Sequence, residues 1–246
     1  MNLSGLKHRI LNIYYRSRSL TVSKNRLYQK PSYSQSGEDL MLRFIFDELQ
    51  IKTPSYIDIG AHHPFYLSNT ALFYESGSIG INIEPDPLLF KRFIQYRKKD
   101  TNLNIGIGET EGEADFYLIS SPTLNTFSKQ EAENYIHEGD YKITEVVKTK
   151  INSLHHIIEK INHGVFPQFL NLDAEGIDEL IIKSINYSKK YPIVMCVETI
   201  SFSTSRNGIK NKALIDFIVS CGYIIYADTY INTIFVRKDA WETNPA

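Results

Sequence analysis

The feature that most constrains this chain is a short apolar strand that stops at a glycine and opens a repeat of helical and strand-like segments. Tyr56-Ile57-Asp58-Ile59-Gly60 is apolar, rich in isoleucine and about one buried strand long. A run that is apolar on both faces belongs inside a parallel sheet, where helices cover both sides. The pattern continues with a helix-like segment near 68–76, the strand Ile79-Gly80-Ile81-Asn82-Ile83-Glu84, the turn Pro85-Asp86-Pro87 and a helix over 88–97. Upstream, residues 38–49 place Leu40, Met41, Phe44, Ile45 and Leu49 on one helical face, behind the start signal Ser36-Gly37. Later strands are predicted at 103–107, 115–119, 168–173, 192–198, 222–227 and 231–236, with helices near 151–161, 176–186 and 209–220. Strands alternating with helices of about ten residues specify an α/β, Rossmann-like fold with a mostly parallel, doubly wound sheet. The last two strands flank Asp228-Thr229-Tyr230, so the sheet is expected to close with a C-terminal antiparallel hairpin.

Length and charge narrow the classes. A chain of 246 residues can organise one core, and 27 Lys+Arg against 28 Asp+Glu leave no cationic excess for a nucleic-acid partner. Two cysteines cannot form a disulfide framework, and Cys196 sits in the apolar run Ile193-Val194-Met195-Cys196-Val197, so a reducing, cytoplasmic setting is expected. No stretch has the 18 or so apolar residues of a membrane span, and the amino end lacks the apolar centre of a signal peptide. Residues 1–32 read as a basic helical appendage to a domain over 33–246. Lys7, Arg9, Arg16, Arg18, Lys24, Arg26 and Lys30 occur there with no Asp or Glu, and Leu3, Leu6, Ile10, Ile13 and Tyr14 recur at helical spacing. Three uses stay open for this segment: docking on this domain or on a second copy in a homodimer, peripheral contact with anionic lipid, and covering an anionic substrate.

In a doubly wound sheet the ligand lies outside the carboxyl ends of the strands, at the point where strand order reverses. The candidates there are Asp58, Gly60, Ala61, His62 and His63. Glu84, 24 residues after Gly60, has the position of an acid that accepts hydrogen bonds from ribose hydroxyls. The loop Gly60-Ala61-His62-His63-Pro64 departs from G-x-G-x-x-G, and a pyrophosphate needs those later glycines. The pattern therefore favours a nucleoside without phosphates, such as S-adenosylmethionine, over a dinucleotide. The plainer readings are a glycine that only turns the chain and a Glu84 that is a solvated strand end.

Several stretches in order resemble the FkbM family of S-adenosylmethionine-dependent methyltransferases: Ser34-Gln35-Ser36-Gly37-Glu38-Asp39, Tyr56 to Pro64, Ser68-Asn69-Thr70, Gly80-Ile81-Asn82-Ile83-Glu84-Pro85 and Leu172-Asp173-Ala174-Glu175-Gly176. The resemblance covers about residues 33–236. It implies a Rossmann-like methyltransferase fold and O-methylation, frequently of a sugar or polyketide hydroxyl. It also implies a cofactor site of Asp58, Gly60, Ala61, His62, Asn69, Thr70, Glu84 and Pro85, with Asp173 and Glu175 facing the acceptor. Ser153-Leu154-His155-His156 departs from the family, which commonly has acidic residues after the leucine.

Methyl transfer to an alcohol needs alignment at the sulfonium carbon and an acceptor for the hydroxyl proton. Asp173, Glu175 and Glu198 are expected to converge at neighbouring strand ends. Two arrangements are open. In one, His63 or Asp173 is the general base, with Glu175 nearby. In the other, Asp173 and Glu198, with His62 or His63, hold a divalent transition metal such as Fe, Mn or Zn, which lowers the hydroxyl pKa. Asp173 and Glu175 could instead cap the following helix. Tyr226, Tyr230 and Asn232 are candidates for a sugar-binding wall. The reading is an S-adenosylmethionine-dependent O-methyltransferase acting on a sugar or nucleotide-linked sugar for bacterial surface polysaccharide. Its rivals are an NAD-dependent oxidoreductase and a non-catalytic nucleoside-binding scaffold on the same fold.

Overall fold

The computed structural model describes residues 28–174, 176–188, 191–201 and 208–243. The chain divides into two compact units, 1–32 and 33–246; the predicted amphipathic helix at Leu3–Tyr14 falls outside the described residues. Among the described residues no helix is long and apolar enough to cross a membrane.

The main sheet has seven strands: β1 (Tyr56–Ile59), β2 (Gly80–Ile83), β3 (Thr101–Leu103), β7 (Phe169–Leu172), β8 (Val194–Glu198), β9 (Tyr223–Asp228) and β10 (Asn232–Arg237). Their order is β3-β2-β1-β7-β8-β10-β9. β1 pairs in parallel with both β2 and β7, and β10 pairs antiparallel with β8 and β9. The chain winds outward from β1 to β3 and then returns to the other side of β1 at β7. Connections leaving β1 and β7 therefore diverge and open a crevice at their carboxyl ends.

Alternation along the central strands sorts side chains onto two cores. Ile57, Ile59, Ile81, Ile83, Leu170 and Leu172 face one way, against Ile181 and Ile182 of the helix Asp178–Ser184 and Leu214 and Ile218 of the helix Lys212–Ser220. Tyr56, Phe169, Val194 and Cys196 face the other way, against Leu42, Ile45 and Phe46 of the helix Glu38–Glu48 and Phe73 of the helix Ala71–Glu75. On that second face one row is polar. Asn82, Asp58, Asn171 and Cys196 lie side by side in register across four strands.

A smaller sheet of order β4-β6-β5 follows β3 and comprises β4 (Gly106–Ile107), β5 (Gly112–Ile119) and β6 (Ile143–Asn152). The sequence pattern anticipates a single strand at 103–107, but the chain splits it between the two sheets. It also misses β6 and the helix Lys129–Glu138. Most of β6 is exposed or half-exposed, so no buried period is written into it. The helix predicted over 151–161 starts only at Leu154 and continues as a wider turn over Ile157–Ile161.

A buried ionic network joins the sheet to the loop that follows β1. Arg97, at the end of the helix Pro87–Tyr96, has no exposed surface. Its Nε donates to Asp100 Oδ2 at 2.9 Å, Nη1 to the Pro64 carbonyl at 2.9 Å, and Nη2 to Tyr56 Oη at 2.6 Å and Thr70 Oγ1 at 3.2 Å. Asp100 also accepts from the Tyr56 hydroxyl, the Gly80 N–H and Asn82 Nδ2. Removing one member of such a pair strands the other charge away from water. Arg97→Met is therefore expected to cost about 3–5 kcal/mol in chemical denaturation. Tyr56→Phe, which leaves the ions paired, should cost nearer 1–3 kcal/mol; equal losses would contradict this account.

Candidate active site

The carboxyl ends of β1, β2, β7 and β8 open into a cavity of about 670 Å³. Its floor is the turn at Gly60. This residue has φ +75°, and a Cβ there would lie 1.7 Å from the Asp173 carbonyl oxygen. The glycine expected for close approach of a ligand is thus required first by the protein, because the ends of β1 and β7 pass through the space of the missing side chain. The Gly60 and Ala61 N–H groups both donate to the Ile83 carbonyl and tie the same turn to β2.

Asp58 is spent inside the fold. Its Oδ2 accepts from Thr70 Oγ1 at 2.6 Å and its Oδ1 from Asn171 Nδ2 at 2.8 Å, while Asn69 Nδ2 donates to Asn171 Oδ1 at 2.9 Å. Burial raises the Asp58 pKa against these bonds. Asp58 and Asn69 reach the cavity wall, but Thr70 is wholly buried and does not. The expectation that Thr70 contacts a cofactor is corrected: its hydroxyl links Asp58 to Arg97.

Glu84, with Pro85 beside it, stands on the wall at the end of β2 and is 4% exposed. Its Oε2 accepts from the His62 N–H and its Oε1 from the Asp86 N–H, both at 2.7 Å. Burial pushes its pKa up to about 8, opposed by these two backbone bonds. It is therefore a buried, oriented acceptor and not a solvated strand end. Asp86 caps the helix Pro87–Tyr96 through Oδ1, and its Oδ2 accepts from Asn125 Nδ2 at 2.9 Å. That bond fastens the segment before the helix Lys129–Glu138 over this end of the cavity. There Phe116 and Phe127, ring centroids 4.6 Å apart, join Leu89, Ile105 and Leu124 in an apolar wall.

The two histidines separate. His62 takes a left-handed backbone, φ +54°, and lines the cavity, its pKa lowered by burial and by neighbouring His63. His63 lies outside the wall. Its Nδ1 accepts from the Phe65 and Tyr66 N–H groups at 3.2 and 2.9 Å, and its Nε2 lies 3.0 Å from Arg92 Nη1. With one nitrogen occupied and the other against a guanidinium, His63 is placed neither to take a substrate proton nor to bind a cation. Both roles expected for it are corrected.

At the other end of the cavity Asp173 is hydrogen-bonded to Glu198. Burial, with the charge of Asp178, holds Asp173 well above the usual carboxylate range, opposed by the Glu198 bond. Two carboxyl groups in hydrogen-bonding contact share a proton, because like charges that close cannot both be ionised. The N-cap of the following helix, Ile177, makes no side-chain cap bond; Asp178 Oδ1 instead accepts from the Ala174 N–H at 2.9 Å and ties down the loop after β7. Glu175 lies outside the described residues. Among the described residues no group of three or more His, Cys, Asp or Glu side chains is placed to hold a metal ion. The set Asp173, Glu198 and His63 does not fit one, since His63 is committed elsewhere.

The wall also holds residues that sequence reading overlooked as lining, among them Gln35, Tyr66, Asn125, Phe127 and Asn171, beside the expected Tyr230 and Asn232. Asn171 carried a signal: it is the polar interruption of an apolar strand, as Asp58 is in its own. The Ser34–Asp39 stretch proves to be a clamp. Glu38 accepts from Thr229 Oγ1 and Asn232 Nδ2, Asp39 accepts from the Tyr33 N–H and the Ser34 hydroxyl, and Gln35 is left at the cavity.

This is a Rossmann-like methyltransferase fold with a nucleoside-sized cavity at its switch point. Residues 58–225 match the methyltransferase FkbM domain, and the chain belongs to the FkbM family of S-adenosylmethionine-dependent methyltransferases. Similar solved structures include a TehB-like S-adenosylmethionine-dependent methyltransferase from Corynebacterium glutamicum, at 11% identity and TM-score 0.42 over 94% of this chain and 100% of that one. Another is the 1,6-didemethyltoxoflavin-N1-methyltransferase of Burkholderia thailandensis, solved with 1,6-didemethyltoxoflavin and S-adenosylhomocysteine, at 8% identity and TM-score 0.40 over 95% and 86%. No curated protein sequence matches the chain significantly.

Gly60→Ala is expected to lower stability by at least about 1–3 kcal/mol, through the left-handed backbone and the blocked Asp173 carbonyl; unchanged denaturation would refute the packing role. The buried acids set a pH dependence. Glu84 rises from an ordinary 4.5 to about 8 on folding, and Asp58, Asp173 and Asp178 shift in the same direction. In that window the folded state binds more protons than the unfolded one, so stability is held at low pH and lost as pH climbs. Thermal melts between pH 5 and 8 should fall with pH, and Glu84→Gln should flatten the slope.

Proposed function

We propose that the protein transfers the methyl group of S-adenosylmethionine to a hydroxyl oxygen of a sugar or nucleotide-linked sugar, in the cytoplasm. The observation that carries the cofactor assignment is the charge of the cavity wall. It presents Asp58, Glu84, Asp173 and Glu198 and, among the described residues, no Lys or Arg. Such a wall offers a pyrophosphate no cationic partner, and the single negative charge of the Asp173–Glu198 pair suits a sulfonium cation, which sets the oxidoreductase reading aside. The bound cofactor supplies an electrophilic methyl carbon and leaves as S-adenosylhomocysteine.

The chain's own residues do the rest. Glu84, held by two backbone N–H groups, keeps lone pairs for the ribose hydroxyls at the end of β2. Gly60, Ala61, His62 and Asn69 border the methionine side, and the Phe116–Phe127 wall borders the base. At the opposite end the Asp173–Glu198 pair carries one shared proton and one negative charge, so it can accept the proton released as the hydroxyl oxygen bonds to the methyl carbon. Gln35, Tyr230 and Asn232 give that end amide donors and an aromatic face suited to a sugar ring. No step passes through a metal, because the expected ligands do not converge. The sugar class and the link to surface polysaccharide rest on family resemblance. Free Cys196 and Cys221 suit a reducing compartment.

Calorimetric titration is the test. S-adenosylmethionine should bind the wild type and NAD should not, with Glu84→Ala weakening the former at least about tenfold, or 1.4 kcal/mol. Asp173→Asn should keep cofactor affinity but reduce S-adenosylhomocysteine release with a panel of sugars and sugar nucleotides by about 10²-fold or more. Binding of NAD, or full turnover by Asp173→Asn, would defeat the corresponding half of the proposal.

A further inference from the structure

A pair of hydrogen-bond donors stands at the rim of the cavity and has no part in the chemistry above. His63 Nδ1 accepts from two backbone N–H groups, at 3.2 and 2.9 Å. A neutral imidazole has one acceptor nitrogen, so these bonds fix the proton on Nε2. Burial and the Arg92 charge hold the His63 pKa below its ordinary value, which keeps the ring neutral. Nε2–H then points at Arg92 Nη1, 3.0 Å away, and a guanidinium is all donor. Two donors therefore converge with no acceptor between them. Among the described residues no carboxylate forms an ion pair with Arg92. Asp86, an acid close enough to influence His62, is buried and already accepts from Leu88, Leu89 and Asn125.

The position of the pair gives it a use. Tyr66 packs against His62 and His63, with centroids 6.4 and 6.3 Å away, and both Tyr66 and His62 line the cavity. The donors thus lie one side chain behind the wall. The interior carries carboxyl groups and, among the described residues, no Lys or Arg, so it offers the anionic part of a ligand no cationic partner. We propose that His63 Nε2–H and the Arg92 guanidinium bind a phosphoryl group of the methyl acceptor, holding its anionic end at the rim while its hydroxyl part enters the acidic interior. A tetrahedral oxyanion can accept from both donors at once, and charge-assisted bonds to it are strong ones. The assignment of the anion to the acceptor rests on the methyltransferase reading; the anion site itself does not.

The test uses the full chain and inorganic pyrophosphate, followed through the histidine ring resonances by NMR. A saturable shift of His63 is expected, with Arg92→Gln raising the Kd at least about tenfold. His63→Asn keeps an oxygen acceptor for the Phe65 and Tyr66 N–H groups but removes Nε2–H, and should weaken binding in the same direction. S-adenosylmethionine affinity should stay within about twofold in both variants. No saturable shift, equal pyrophosphate binding by Arg92→Gln, or loss of S-adenosylmethionine affinity in both variants would overturn the proposal; in the last case the pair holds the cofactor's own carboxylate. Pyrophosphate binding at His63 with no S-adenosylmethionine binding by the wild type would overturn the cofactor reading and support the anion site.

Discussion

The Arg97 guanidinium is the fixed point from which this site is built. A cation without water costs several kcal/mol unless it is paired and its donors are satisfied. Here Asp100 supplies the charge, and Pro64, Tyr56 and Thr70 accept the remaining bonds. The Tyr74 ring lies 4.5 Å from the guanidinium carbon and adds a cation–π contact. Because these partners come from β1, from the loop after it and from the segment before β3, one side chain sets the relation of three elements. Thr70 passes the constraint to Asp58, Asp58 to Asn171, and Asn171 to Asn69. The polar row across the sheet is thus a frame under the cavity floor, and its residues act as supports before any ligand is considered.

Charge is distributed unevenly around the cavity, and that distribution bears on its chemistry. The interior gathers acids whose protonation is favoured by burial, while an arginine and a proton-fixed histidine stand outside. A ligand that is cationic at its reacting centre and neutral at the accepting atom is matched to the interior. A diphosphate in the same place would meet, among the described residues, no Lys or Arg. The Asp173–Glu198 pair gains its proton affinity from the same desolvation.

The insertion that carries the small sheet meets the main domain at the Glu84 end of the cavity through Asn125 and Asp86. Its aromatic pair closes the wall that the β2 and β3 ends leave open. Asp86 thereby joins helix capping to the closure of the site, since one carboxylate serves both. The Ser34–Asp39 clamp does the equivalent work at the Glu198 end, where Glu38 bridges to Thr229 and Asn232 and fixes the last hairpin against the helix Glu38–Glu48.

The parallel sheet, the switch point after β1, the acid at the end of β2 and the closing hairpin are legible in the amino-acid sequence alone. Each is a local pattern, with a fixed apolar period and a glycine or acid at a strand end, and the family motifs lie on the same segments. Which polar residues face the cavity is set by folding alone. Thr70 and His63 sit within a few residues of His62 and Asn69 and look equivalent in the chain, yet one is spent on Asp58 and the other turns its ring nitrogens to Phe65, Tyr66 and Arg92. Gly60 reads as a ligand contact until the Asp173 carbonyl is found in the space of its absent side chain. The strand β6 escaped notice because its side chains are mostly in water and impose no period. Arg97 and Asp100 carry no signal in the sequence, because the partners that permit their burial lie 18 to 44 residues away, and only folding brings them within hydrogen-bonding distance.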